Sequence, residues 1–167
     1  MLPHSNMIHR IPSPQKLCFY SEVIEKVLVP LDGSEVSEKS IRKAKELLKG
    51  AAPNGRIIAL MVLELPKESP LFEPIDLENA RNEERRQASR YLTELREQFV
   101  FDDCQFETRI AESNDTVAEM ILEQAELEKV DLIALTTHGR TGIKRMVFGS
   151  VAEKVLRMAP CSVVIVR

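Results

Sequence analysis

Between Thr136 and Ser150 the chain leaves an apolar run, passes Gly139 and Gly142, and reaches Gly149-Ser150 at the head of an apolar helical pattern. Glycines let backbone N–H groups approach and point at phosphate oxygens, and a helix N-terminus adds partial positive charge. Arg140, Lys144 and Arg145 supply cations in the same stretch. The segment therefore reads as a phosphate-binding loop. A plainer reading stands beside it, because Ser150 with Glu153 three residues on makes a capping box that needs no ligand. It is not a Walker A loop, since no Gly-Lys-Ser/Thr closes it, and no GxGxxG follows the first strand as a dinucleotide fold requires.

A second chemical cluster, Pro30-Leu31-Asp32-Gly33-Ser34-Glu35, follows the first apolar run. Asp32 at a strand end can accept hydrogen bonds from a ribose or adenine group, while Ser34 caps the next helix and Glu35 complements its dipole. Acid–base work would fall to Asp32 or His138, and no Ser/His/Asp order is visible, so no catalytic residue is expected. Cys18, Cys104 and Cys161 show no CxxC spacing and an odd count, which fits reduced thiols in a cytoplasm. His4 and His9 fall in the N-terminal stretch, and no cluster has metal-ligand spacing, so no metal site is expected.

These residues need elements to hold them. Apolar runs at Val27–Leu31, Ile57–Leu63, Leu132–Leu135 and Val163–Val166 are nearly continuous, as in strands covered by helices on both faces of a parallel sheet. Helical patterns lie between them: Val36, Ile41, Ala44 and Leu48; Leu77 to Leu95 on a long charged helix; Val117, Ile121 and Ala125; Val151, Val155 and Ala159. From Cys104 to Ile110 apolar and polar residues alternate, the pattern of an edge strand wet on one face. The stretch Glu64 to Pro74 is the longest loop. A doubly wound α/β sheet follows, with ligands expected at the carboxyl ends of strands where the winding reverses.

A chain of 167 residues, 44% hydrophobic and 29% charged, is globular in composition and sized for one domain. Its formal charge of -3 argues against nucleic acid, which needs a clustered basic surface. No run approaches the length needed to span a bilayer, and the opening residues lack the apolar core of a signal peptide, so neither membrane nor secretion is expected. Residues 1–24 read as a partly ordered extension, with Met7 a conceivable second start, before a domain at 25–167.

Three segments, VLVPLDGSE at Val27 to Glu35, THGRTGIKRMVFGSVAEKVL at Thr137 to Leu156 and APCSVVIV at Ala159 to Val166, together resemble the universal stress protein family. The resemblance covers residues 26–167 and implies a five-stranded sheet in the order 3-2-1-4-5, helices on both faces. The family's nucleotide-binding branch carries Gly-x2-Gly-x9-Gly-Ser/Thr; Gly139 and Gly149-Ser150 match its later part, and Thr136 stands at the first glycine. By the same resemblance Asp32 contacts the adenosine, Pro30 and Leu31 wall the base, and Val62 offers backbone to its edge. Gly139, Arg140, Gly149, Ser150 and Val151 then surround the phosphates, Thr136 crowds the nearby ribose, and Thr141 and Gly142 join the nucleotide-binding residues.

The expected function is an ATP- or AMP-binding stress-response or regulatory protein, any magnesium being held by the phosphates, with little or no catalysis. Two alternatives stay open: a slow ATP hydrolase, and a partner-binding dimer that has lost nucleotide, which the branched Thr136 keeps in view. The apolar, uncharged final strand, Ser162 to Val166, is an edge in the implied order and invites a twofold homodimer.

Overall fold

The computed structural model describes residues 23–49, 55–64, 74–113, 115–137 and 149–167. Among them nine elements alternate: β1 (Lys26–Leu31), α1 (Glu35–Leu48), β2 (Gly55–Glu64), α2 (Pro74–Gln98), β3 (Cys104–Ser113), α3 (Val117–Glu128), β4 (Leu132–Thr136), α4 (Ser150–Met158) and β5 (Ser162–Val166). The strands form one parallel sheet in the order β3-β2-β1-β4-β5. That is the order the resemblance implies.

Strand alternation divides the core in two. Val27 and Val29 of β1 project to one face with Ile57, Ala59, Leu132 and Ala134, where Ile41, Ala44 and Leu48 of α1 and Leu92 and Leu95 of α2 cover them. Leu28 projects to the other with Ile58, Leu60, Ile133 and Leu135, under Ala118, Ile121 and Ala125 of α3 and Ala152 and Val155 of α4. Two helices thus cover each face, the doubly wound arrangement, which is why the central strands read as unbroken apolar runs. Each large side chain buried this way contributes about 1.5–3 kcal/mol.

Ser34 caps α1, its side chain accepting from Ser37 N–H at 3.2 Å, and Glu35 and Glu38 lie in the first turn. The buried stripe of α1 runs Ser37, Ile41, Ala44, Leu48, spaced four, three and four. Val36, expected on that stripe, is instead 41% exposed, because it falls a residue out of phase. β3 is an edge strand as its pattern predicts, but its polar face is not open water. Arg56 of β2 pairs with Glu107 at 3.1 Å, and Arg109 pairs with Glu128 of α3. Pro74 opens α2, where its missing N–H costs nothing.

Residues 1–22, most of the expected extension, and residues 65–73, most of the expected long loop, lie outside the described residues. Ile24 packs against the α1–α2 core. No helix among the described residues is long and apolar enough to cross a membrane.

Candidate functional site

Where the winding reverses, β1 and β4 lie side by side, yet they pair only at Val27–Leu132 and Leu28–Ile133. On its other side β1 stays in register with β2 as far as Leu31–Met61. The cause is one residue. The Lys26 carbonyl accepts the Asp131 N–H at 2.9 Å, so by alternation Leu28 and Pro30 also turn their backbone toward β4. Pro30 has no N–H to extend that ladder. Beyond Leu28 the strands part, and a cleft of about 270 Å³ opens at their carboxyl ends.

Seven of the residues picked out from the sequence meet there: Pro30, Leu31 and Asp32 from the end of β1, Thr136 from β4, and Gly149, Ser150 and Val151 from the start of α4. Val62 does not line this cleft; it lies one step past the Leu31–Met61 pair and packs against the α3–α4 core. Gly139, Arg140, Thr141 and Gly142, with His138, Lys144 and Arg145, lie outside the described residues. The cleft also takes Val117 and Ile121 of α3, Ser37 of α1, Leu135, Thr137 and Ala152, none foreseen as lining. Ser37 and Ser40 are both hydroxyls on a mostly apolar buried stripe, and of the two only Ser37 lines the cleft. Val117 and Ile121 carried no signal in the sequence beyond their helical spacing, since only the topology brings the start of α3 to this strand end.

Gly33 adopts φ 82°, the left-handed conformation that glycine takes without strain, and so turns the chain from β1 into α1. The turn folds Ser34 back on Asp32, whose Oδ1 accepts from Ser34 N–H at 3.0 Å and from Ser34 Oγ at 2.6 Å. Burial pushes the Asp32 carboxyl up, but hydrogen bonds from the Ser34 side chain and backbone and from Ser37 outweigh it and hold it below its usual range. The cleft therefore carries an ionised carboxylate at neutral pH, a good acceptor and a weak base.

At the facing helix, Gly149 is the cap of α4 and Ser150 its first residue, with no side-chain cap hydrogen bond. The capping box read at Ser150 and Glu153 is thus corrected: the cap falls one residue earlier, and Glu153 N–H bonds to the Gly149 carbonyl at 2.9 Å. Gly149 has φ −61° and ψ 153°, open to any residue. A Cβ there would meet only the Thr137 carbonyl, at 3.4 Å, an ordinary contact. Neither backbone strain nor packing within the described residues requires glycine, so its bare face is space that the cleft uses. The first amides of α4 have no intrahelical acceptor and bring partial positive charge to the same wall.

Other cavities converge less. A groove of about 410 Å³ on α2 is lined by Arg86, Arg90, Glu97 and neighbours of that single helix. A polar hollow of about 280 Å³ at the amino ends of the strands holds Asp131, whose carboxylate already accepts from the Glu25 and Lys26 N–H groups at 2.9 and 2.8 Å. Among the described residues no group of three His, Cys, Asp or Glu side chains is placed to hold a metal ion.

The profile of the universal stress protein family matches residues 24–167. The chain is 31% identical over 149 residues to the universal stress protein MJ0531 of Methanocaldococcus jannaschii, covering 86% of this chain and 82% of that one. In fold it is similar to the hypothetical protein MJ0577, with a TM-score of 0.73 at 24% identity over 86% of this chain and 96% of that one. A universal stress protein family protein of Arabidopsis thaliana, solved with AMP bound, shares the fold at a TM-score of 0.57 and 16% identity, over 84% and 90% of the two chains. By profile, sequence relatives and fold, the chain belongs to the universal stress protein family.

Proposed function

We propose that this chain binds an adenine nucleotide, ATP or AMP, in the cleft between β1 and β4, and acts as a stress-response or regulatory protein with negligible catalysis. The observation that carries the reading is the meeting of an ionised Asp32 with a glycine-capped helix start in one cleft. The carboxylate accepts from ribose hydroxyls. Pro30, Leu31, Val117 and Ile121 offer apolar walls to a flat base. The amides at the head of α4 take a phosphate, with Gly139, Arg140, Thr141 and Gly142 joining from the residues that precede it in sequence. Val62, whose side chain packs beside the cleft and not in it, offers only its backbone to the base edge from β2.

The fold neighbour solved with AMP supports this choice of ligand. Any magnesium is held by the phosphates. A weakly basic Asp32 gives no means of activating water, so turnover is negligible. Cys104 and Cys161 are free, the first opening β3 and the second directly preceding β5 at the opposite edge of the sheet, in keeping with a cytoplasmic setting. A second copy pairs along β5.

One observation favours a different reading: the branched Thr136 side chain takes room in the cleft, as in a partner-binding dimer without nucleotide. Mass spectrometry of ligand released from freshly purified protein, followed by calorimetric titration with AMP and ATP, separates the two. Released or titrated adenine nucleotide is expected. A dimer that yields none and binds none would replace the first reading with the second.

A further inference from the structure

We propose that Lys154 is a reserve cation for the nucleotide's phosphate, parked beside the cleft on Glu119 and surrendered to the ligand when it binds. The inference rests on the nucleotide reading of the cleft and adds a further residue that distinguishes a nucleotide from a nucleoside. Among the described lining residues the one charged group is Asp32, an anion. A phosphate entering there meets the partial charge of a helix end and no full positive charge from those walls. Arg140 is one cation proposed for that phosphate, and among the described residues α4 offers a further one a turn behind Ser150.

Lys154 is four residues beyond Ser150 on α4, and side chains on a helix lean toward its N-terminus, so the ammonium covers the turn that opens on the cleft. Its contacts agree. Lys154 Nζ donates to Glu119 Oε1 at 2.7 Å and lies 3.5 Å from Thr116 Oγ1. Thr116 is the cap of α3, directly before Val117 of the cleft wall. The ammonium thus sits between α4 and the start of α3, against the residue that precedes Val117 of the cleft wall.

The pair is built to yield. The two side chains are 33% and 49% exposed, and exposed pairs contribute little to stability. Glu119 has a second employment, its Oε2 accepting from Thr116 Oγ1 at 2.8 Å and Thr116 N–H at 3.3 Å in the capping box, so it keeps partners when Lys154 leaves. The flexible four-carbon stem of lysine lets a point charge swing between two anions. A phosphate dianion outcompetes a carboxylate whose charge is already shared with a helix cap.

Calorimetric titration of the full chain with AMP and with adenosine tests this. Lys154→Met is expected to weaken AMP about tenfold, the size of one charge-assisted hydrogen bond, and to leave adenosine unchanged. Lys154→Arg should retain AMP binding. Glu119→Gln keeps the capping box and removes the competitor, so AMP binds more tightly. A residue that merely braced α3 against α4 would give the reverse, since cutting a brace from either end costs the same. An unchanged ratio of AMP to adenosine affinity in Lys154→Met, or a Glu119→Gln protein that fails to tighten on AMP, overturns the inference alone. A parent protein that binds neither ligand overturns the reading of the cleft and the inference with it.

Discussion

The Gly149 N–H donates to the carbonyl oxygen of Thr137 at 3.2 Å, so the head of α4 hangs directly on the end of β4. A backbone bond fixes the distance between strand end and helix start without using a side chain. The amides that follow are thereby held over the gap left where β1 and β4 part. Rigid placement of donors before the ligand arrives is what lets binding energy go into contacts rather than into ordering a loop.

Filling the bare face of Gly149 should abolish nucleotide binding while the fold survives. In Gly149→Val the backbone angles are tolerated, and the first added carbon makes an ordinary contact with Thr137. Replacing a glycine cap with valine costs the helix end about 1 kcal/mol, a melting shift of about 2–4 °C for a chain of this size. Calorimetry with AMP and a thermal melt check both halves. Unchanged affinity in a folded variant would remove the phosphate from the head of α4.

Asp32 should titrate below its ordinary 3.8 in the parent and higher in Ser34→Ala, because burial, the raising influence, then loses the Ser34 side-chain hydrogen bond that opposes it. The sign for stability follows. A carboxyl whose folded value is depressed adds stability above its unfolded value and loses it as pH falls through the folded one, so the parent weakens as pH drops below about 4, while the variant, whose folded value lies closer to the unfolded one, starts with less of this stability and loses less of it. Carbon NMR of the Asp32 carboxyl measures the shift. A midpoint that does not move in Ser34→Ala contradicts this account.

Purified protein with magnesium should hydrolyse ATP far more slowly than about 1 per second, the lower end of ordinary enzymes. The motive is Asp32, a carboxylate too weakly basic to draw a proton from water at neutral pH. Turnover at enzymatic rates that disappears in Asp32→Ala would make it a catalyst after all.

Light scattering should find a dimer, and Val164→Lys should shift it toward monomer. β5 is an edge strand whose Val163, Val164, Ile165 and Val166 are all only half-buried, with no charge or proline among them. Val164 also touches the α1–α2 core, where a lysine stem can lie while its ammonium reaches the edge, so a thermal melt accompanies the measurement. A monomeric parent, or a variant that stays fully dimeric, removes β5 as the interface.

Much of this molecule was legible along the chain. The apolar runs marked four of the five strands because burial on both faces leaves no polar positions to interrupt them, and alternation marked β3 because an edge has one face to spare. Ser34 announced its cap through local hydrogen bonding alone, whereas the turn at Gly33 came with its φ of 82° in the folded chain. Asp32 and Gly149, residues 117 positions apart, were picked out too, their meeting resting on the winding rule and on the strand order the resemblance implies. Other features depended on neighbours distant in sequence. Val36 left the core by a phase difference of one residue, Ser150 yielded the cap to Gly149, and Val117 and Ile121 became cleft walls because α3 packs over β2 and against α4. Pro30 is the sharpest case. Its missing N–H is written in the sequence, but which neighbour that gap faces depends on strand order and on the phase set by Lys26 and Asp131, and only the assembled sheet supplies both.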